Sequence, residues 1–320
     1  MSKKFKDYSG NKNSKQEEIK LIVSKIELGI KKFQESEFFK NYLKTMAKFH
    51  NYSWGNCMLI TMQKRNATLV AGFNTWKSVG RHVKKGEKGI AILAPCIYKN
   101  KKHNEIEVIE HNEQKNEINE NEINENKSKE DEVQRIGFKK VTVFDISQTE
   151  GKEIPSLTTE LKGEAKDLEI VKATIAEITG YNIIYEDITG GAKGYCSYDD
   201  KCIAIKKGMS ELQQMKTLLH EGAHAVLHFD RTRKNVDRNT AETEAESVAY
   251  TVCCKLGIDT GEYSFPYLAS WASNQDLTEL KSSLKNIQNT SMNFINKIEE
   301  KIKVAEKEIV DKSKNKEACL

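Results

Sequence analysis

The sequence predicts an α+β protein of two domains, on three observations. Segments with helical periodicity alternate with short β-branched and aromatic runs in both halves of the chain. The 320 residues suffice for two buried cores. Charge is divided unevenly: residues 1–100 carry 20 Lys and Arg against seven Asp and Glu, so the remainder is acidic although the whole chain is only +4.

In the first half, Gln16–Phe49 is expected to form two helices and Trp54–Arg65 a third. Ala91–Tyr98 (AILAPCIY) and Phe138–Ile146 (FKKVTVFDI) read as strands of one hairpin. Between them, about residues 100–134, lies an insert rich in Asn and Glu (NEINENEINEN). It buries too little apolar surface to offset its ordering entropy, so it is expected to be disordered. Pro155 and the glycines of GKEIPSLTTELKG mark a boundary. Beyond it, Glu164–Ile178, Met209–Phe229, Asn239–Leu256 and Leu277–Ile309 read as helices. Asn182–Tyr185 and Tyr195–Lys206 contain short strands, the second turning at Asp199–Asp200. The expected domains are residues 1–157 and 163–290, followed by a basic helical tail, residues 291–320. An apolar stripe in that tail (Ile295, Ile298, Ile302, Ala305, Ile309) suits packing on the second domain or on a partner helix, with simple packing favoured.

No apolar run approaches the roughly 20 residues of a membrane span, and residues 1–18 hold no apolar stretch. A cytoplasmic protein with no membrane partner is expected. The seven cysteines are odd in number and form no C-x-x-C, which argues against a disulfide framework or a cysteine zinc site. The basic first half suits a polyanion, with nucleic acid the leading candidate.

His220-Glu221-Gly222-Ala223-His224 fits H-E-x-x-H. On a helix, residues four apart share a face, so both imidazoles can reach one Zn²⁺. Glu221 is then placed to take a proton from water as a general base. Leu212, Met215, Leu219, Ala223 and Val226 form an apolar stripe that puts the motif on an amphipathic helix. A catalytic zinc needs a third protein ligand. The longer pattern H-E-x-x-H-x-x-G-x-x-H fails, because Leu227 and Asp230 stand where Gly and His are required. His228 is one turn beyond His224 and suits a packed or supporting histidine better than a ligand. On the next helix Ala241, Ala245, Val248, Val252 and Leu256 form the apolar stripe. Glu242 and Glu244 flank it on opposite sides, and Glu246 is farther round. Periodicity leaves Glu242 and Glu244 both open and expects the other glutamates on a solvated face.

The basic half offers aromatics for stacking unpaired bases: Tyr52, Trp54, Phe73 and Trp76. At least two of these four are expected to be buried instead. Arg81, Lys84, Lys85 and Lys88 cluster in RHVKKGEKG, where Gly86 and Gly89 permit a tight turn. Asn56 and Asn74 are candidates for phosphate or base-edge contacts.

HEGAHAVLH followed by AETEAESVAY resembles the ImmA/IrrE-like zinc metallopeptidases, a gluzincin group. The resemblance implies Glu244 as the third zinc ligand. It also implies a substrate-pairing edge strand before the zinc helix, at Lys201–Lys206. NYSWGNCMLITMQKRNATLVAGFNTWKSVGRHVKKGEKGIAILAP, with VTVFDISQTEGKEIP, resembles the N-terminal domain of ArdC-type antirestriction proteins. Together the two matches run from about Gln16 to Trp271, apart from the insert. They imply single-stranded DNA as partner, a mobile-element setting, and protection of transferred DNA from host restriction. Two rivals remain open at this level. One is a non-enzymatic strand-coating protein whose zinc domain is structural or protein-binding. The other is a regulatory peptidase whose protein substrate is a repressor or a host restriction subunit.

Overall fold

A computed structural model describes residues 9–100, 106–109, 134–154, 165–229, 236–258 and 265–317. In chain order it opens with helices α1 (Ser9–Lys31), α2 (Ser36–Lys48) and α3 (Trp54–Gln63). Strand β1 (Val70–Gly72), helix α4 (Phe73–Ser78) and strands β2 (Arg81–Val83), β3 (Ile90–Asn100), β4 (Ile106–Ile109), β5 (Gln134–Asp145) and β6 (Thr149–Gly151) follow. Then come α5 (Ala165–Thr179), β7 (Asn182–Glu186), β8 (Gly194–Ser197) and β9 (Cys202–Lys206). Helices α6 (Glu211–Leu227), α7 (Arg238–Lys255), α8 (Leu268–Asn274) and α9 (Leu277–Glu317) complete it.

The chain forms two compact units, and each mixes helices with sheet, as the sequence predicts. The first comprises Met1–Gly29 and Gly55–Glu153, the second Ile30–Trp54 and Ile154–Leu320. A single cut near residue 160 therefore misses one feature. Phe33 and Phe39, on and beside α2, pack with Trp271 and Phe265 in the aromatic core of the second unit. The expected boundary at residue 291 falls inside a helix. The helix α9 runs unbroken past residue 291, and Phe294, Ile295, Ile298 and Ile302 are buried on it.

In the first unit the expected hairpin is present: β3 pairs antiparallel with β5 from Ile90↔Val143 to Lys99↔Gln134. Its sheet has the order β1-β5-β3-β4. Ile106–Ile109, assigned to a disordered insert on composition, instead form β4 and pair with Ile97–Asn100. The NEINENEINEN run lies outside the described residues. Among the described residues, short β4 leaves Ala91 and Leu93 without a neighbouring strand on the side away from β5, and helix α3 fills that role with side chains. Asn56 donates to Leu93 O (2.8 Å) and accepts from Leu93 N–H (2.9 Å). Seven residues on, Gln63 donates to Ala91 O (2.9 Å) and accepts from Ala91 N–H (3.0 Å). Two primary amides spaced two helical turns apart thus complete a strand edge that would otherwise lose four hydrogen bonds.

In the second unit β7, β9 and β8 form a three-stranded sheet in that order, with β7 and β9 parallel and β8 antiparallel to β9. The residues Lys201–Lys206, expected at the edge, therefore supply the central strand, bonded on both sides. The edge nearest α6 is β8. It approaches α6 closely because Gly194 has no side chain: a Cβ there would lie 2.6 Å from Thr217 Cγ2, 2.8 Å from Ala204 O and 3.3 Å from Glu221 Cγ. Gly222 does the same on another face of α6, where a Cβ would meet Ile175 of α5 at 3.0 Å.

The strand-edge role of α3 is testable. Asn56→Ala should destabilise the protein by about 1–3 kcal/mol, the cost of orphaning part-buried backbone groups. Urea denaturation of the variant, with Gln63→Ala beside it, measures this.

Candidate metal centre

Helix α6 is N-capped by Ser210, whose hydroxyl accepts from Gln213 N–H, and C-capped by His228. Its inward stripe contains Met215, Leu219 and Ala223, all fully buried. That burial fixes the rotation of the helix and turns His220 and His224 towards α7. Helix α7 is capped by the Asp237 side chain and is buried on almost every side.

His220 Nε2 lies 3.1 Å from His224 Nε2. Glu242 Oε2 lies 3.5 Å from the first and 3.7 Å from the second. Among the described residues, His220, His224 and Glu242 are the three whose donor atoms converge closely enough to share an ion. The distances fit such an ion. Tetrahedral ligands at zinc bond lengths of 2.0–2.1 Å are separated by about 3.3 Å. Two imidazole nitrogens and one carboxylate oxygen form a donor set suited to zinc and to other first-row divalent ions.

Glu244, the ligand implied by the family resemblance, is not brought to this point. Its side chain is wholly buried and turned the other way: Oε2 lies 3.0 Å from His228 Nε2, and Oε1 accepts from the Ser283 hydroxyl on α9. Residues 242 and 244 are two apart on a helix and so point to different sides. Nor do the remaining glutamates lie on a solvated face. Glu246, one turn beyond Glu242, places Oε2 3.0 Å from His220 Nδ1, at ion-pair distance though without hydrogen-bond geometry. Sequence reasoning missed Glu246. The spacing of four between it and Glu242, matching that of His220 and His224, is the signal that marks it.

The electrostatics follow from crowding imidazoles among carboxylates. Burial alone lowers the affinity of His220 for a proton, but Glu242 and Glu246 outweigh it and raise its pKa to about 10. The two histidines, His220 first, hold Glu242 far below the usual carboxylate range. Glu221 is raised by burial, against the pull of His220 and His224. An elevated carboxylate beside this cluster is suited to accept and return a proton. An open cleft adjoins the cluster, lined by Glu242, Thr243, Glu246, Phe265, Pro266 and Tyr267.

The residues proposed for nucleic acid separate into two sets. Asn56 is committed to β3, as described above. Trp76 is buried and donates from Nε1 to Phe144 O (2.8 Å). Arg81 ties β2 to β6, donating to Thr149 Oγ1 (2.7 Å), Thr149 O (3.0 Å) and Lys152 O (2.6 Å). These three hold the fold rather than a surface. Lys84, Lys85 and Lys88 are exposed on the turn between β2 and β3, and the Lys84 ammonium also donates to Ser147 O (3.1 Å). That turn is held from beneath by Gln148, which donates to Glu87 Oε2 (2.9 Å) and Lys88 O (2.8 Å). Phe73 in the same unit is 55% exposed. Tyr52 and Trp54 are half-buried and belong to the second unit. Of the four aromatics only Trp76 is buried, where at least two were expected.

Comparison with known proteins agrees with this architecture. Residues 12–144 match the family model of the N-terminal domain of anti-restriction factor ArdC. Residues 176–255 match the IrrE N-terminal-like domain, an M78 peptidase-family fold. An uncharacterized Bacillus anthracis protein is 31% identical over 328 aligned positions, covering 94% of this chain and 54% of the relative. The chain thus spans about half the length of that curated relative. The metal-free crystal structure of the antirestriction ArdC protein from plasmid R388 superposes with a TM-score of 0.52 at 20% identity, covering 78% of this chain and 84% of that one. The Mn(II)-bound structure of the R388 protein gives a TM-score of 0.48 over the same shares. Fold and domain order define an α+β protein that joins an ArdC N-terminal domain to an IrrE-like domain. Residues 12–144 are thus similar to the ArdC N-terminal domain and residues 176–255 to the IrrE N-terminal-like domain.

A cation taken by the three donors must displace the proton from His220. Its apparent affinity should therefore rise with pH, by up to about tenfold per unit, throughout the range below pH 10. Chelator competition between pH 6 and 8 tests the sign; a flat profile contradicts it.

Proposed function

We propose that this chain is an antirestriction protein of a mobile element, with a single-strand-binding first unit and a zinc-dependent peptidase second unit. The observation that carries the second half is the convergence of His220, His224 and Glu242 beside half-buried Glu221. In this reading His220, His224 and Glu242 hold Zn²⁺, and Glu242 replaces Glu244 as third ligand. A bound zinc supplies a Lewis acid and an acidified water at an open fourth position.

The chain's own residues do the rest. An extended peptide lies along β8, whose outer edge offers backbone N–H and C=O groups for pairing. Glu221 takes the proton of the attacking water on a carboxylate oxygen and delivers it to the departing amine. Its raised proton affinity suits both transfers. Glu246 and the supporting contacts of His224 keep the imidazoles aimed.

The first unit grips DNA through Lys84, Lys85 and Lys88 on the pinned turn, with exposed Phe73 as a stacking face. Stacking with scattered cations grips single strands without sequence preference. The protein substrate belongs to the class that a restriction barrier presents: a host restriction component or a repressor.

Glu221→Gln should abolish protection of transferred DNA in a mating assay with a restricting host, while leaving DNA binding unchanged. Full protection by this variant would overturn the peptidase reading and leave a strand-coating protein. For the DNA half, Lys85→Ala with Lys88→Ala should lower the slope of log affinity against log salt by about 1.4 for single-stranded DNA, roughly 0.7 for each phosphate no longer neutralised. An unchanged slope would remove the turn from the interface.

A further inference from the structure

Behind the three converging donors a hydrogen-bonded line leads into the core. His224 Nδ1 lies 2.9 Å from His228 Nδ1. His228 Nε2 lies 3.0 Å from Glu244 Oε2, and Glu244 Oε1 accepts from Ser283. The His228 side chain is 7% exposed and that of Glu244 is 0% exposed. A wholly buried carboxylate is costly unless it is paired and hydrogen-bonded, and Glu244 is held by His228 and Ser283. We propose that Ser283, Glu244 and His228 form a positioning relay that fixes the tautomer and the aim of His224. The proposal rests on the metal reading given above for the function of the relay, and on these contacts alone for its existence.

With Glu244 ionised and His228 neutral, the hydrogen bonds of this line run in one direction. An ionised carboxylate only accepts, so in that case Glu244 takes hydrogen bonds from the Ser283 hydroxyl and from His228 Nε2–H. The neutral His228 ring then has a lone pair on Nδ1, which accepts from His224 Nδ1–H. His224 is left with its lone pair on Nε2, the atom that faces His220 and Glu242. The opposite tautomer would put a hydrogen where the cation must bind. A negative charge at the far end of the line also makes His224 a stronger donor, as carboxylates behind metal-bound histidines do. The three residues come from α7, α9 and the end of α6, so the relay also ties the aim of His224 to the packing of three helices.

Two measurements on the full chain test this. Zn²⁺ affinity is measured by chelator competition for wild type, Glu244→Gln and Glu244→Leu. Glu244→Gln keeps an acceptor but removes the charge, so about a tenfold loss is expected; Glu244→Leu removes both, and the loss should approach 100-fold. A residue that only fills space would leave both affinities within twofold of wild type, and that result overturns the proposal. Imidazole ¹⁵N spectra of the metal-free wild type give the second readout. The relay requires the hydrogen on Nδ1 of His224 and on Nε2 of His228; a hydrogen on Nε2 of His224 overturns it. Should wild type take neither Zn²⁺ nor Mn²⁺, the metal reading falls, and the spectra still decide whether the relay exists.

Discussion

Packing of α6 against α7 brings two imidazoles and a carboxylate to within 3.1–3.7 Å of one another. That constraint shapes the second unit. Apolar burial of Met215, Leu219 and Ala223 sets the rotation of α6, and Gly194 and Gly222 let neighbouring elements close on it. Helix α7 is buried on most sides, Glu244 wholly and Glu242 and Glu246 in part, and each of these glutamates has a partner in the fold. Glu242 and Glu246 find imidazoles on α6, while Glu244 finds His228 and Ser283. Such a concentration of carboxylates around imidazoles is stabilised by protons or by a cation, and Glu242 and Glu246 accordingly raise the proton affinity of His220.

The first unit obeys a different logic. Its sheet is finished by side chains: Asn56 and Gln63 replace a missing strand, and Arg81 bridges β2 and β6. What remains on the surface is a short lysine-bearing turn with its backbone anchored by Gln148. A pinned turn presents its cations at little further entropic cost, which favours binding to a polyanion.

Much of this was legible in the sequence. Periodicity located nearly all the helices, β-branched runs located β3 and β5, and H-E-x-x-H marked the helix whose two histidines converge with Glu242. Which glutamate faces the two histidines was not legible, for a definite reason. A helical wheel separates inside from outside, but α7 has almost no outside; Thr243, Glu244, Ser247 and Thr251 are buried along with the apolar stripe. Polarity then says nothing about direction. The same limit applied to Asn56, Trp76 and Arg81. Their types suit nucleic acid, yet each satisfies a backbone group that only the folded chain reveals. Composition also misjudged residues 106–109. Two isoleucines and a valine among polar neighbours gain a ladder partner in β3, and that pairing is a non-local fact. The assignment of α2 to the second unit likewise depends on distant aromatics, Phe265 and Trp271.

The central claim is that His220, His224 and Glu242 hold one divalent cation. Anomalous diffraction at the zinc edge, from crystals grown with Zn²⁺, tests it most directly. The account predicts a single peak at about 2.0–2.2 Å from His220 Nε2, His224 Nε2 and a Glu242 carboxylate oxygen. A peak coordinated by Glu244 in place of Glu242, or no peak between α6 and α7, would contradict it.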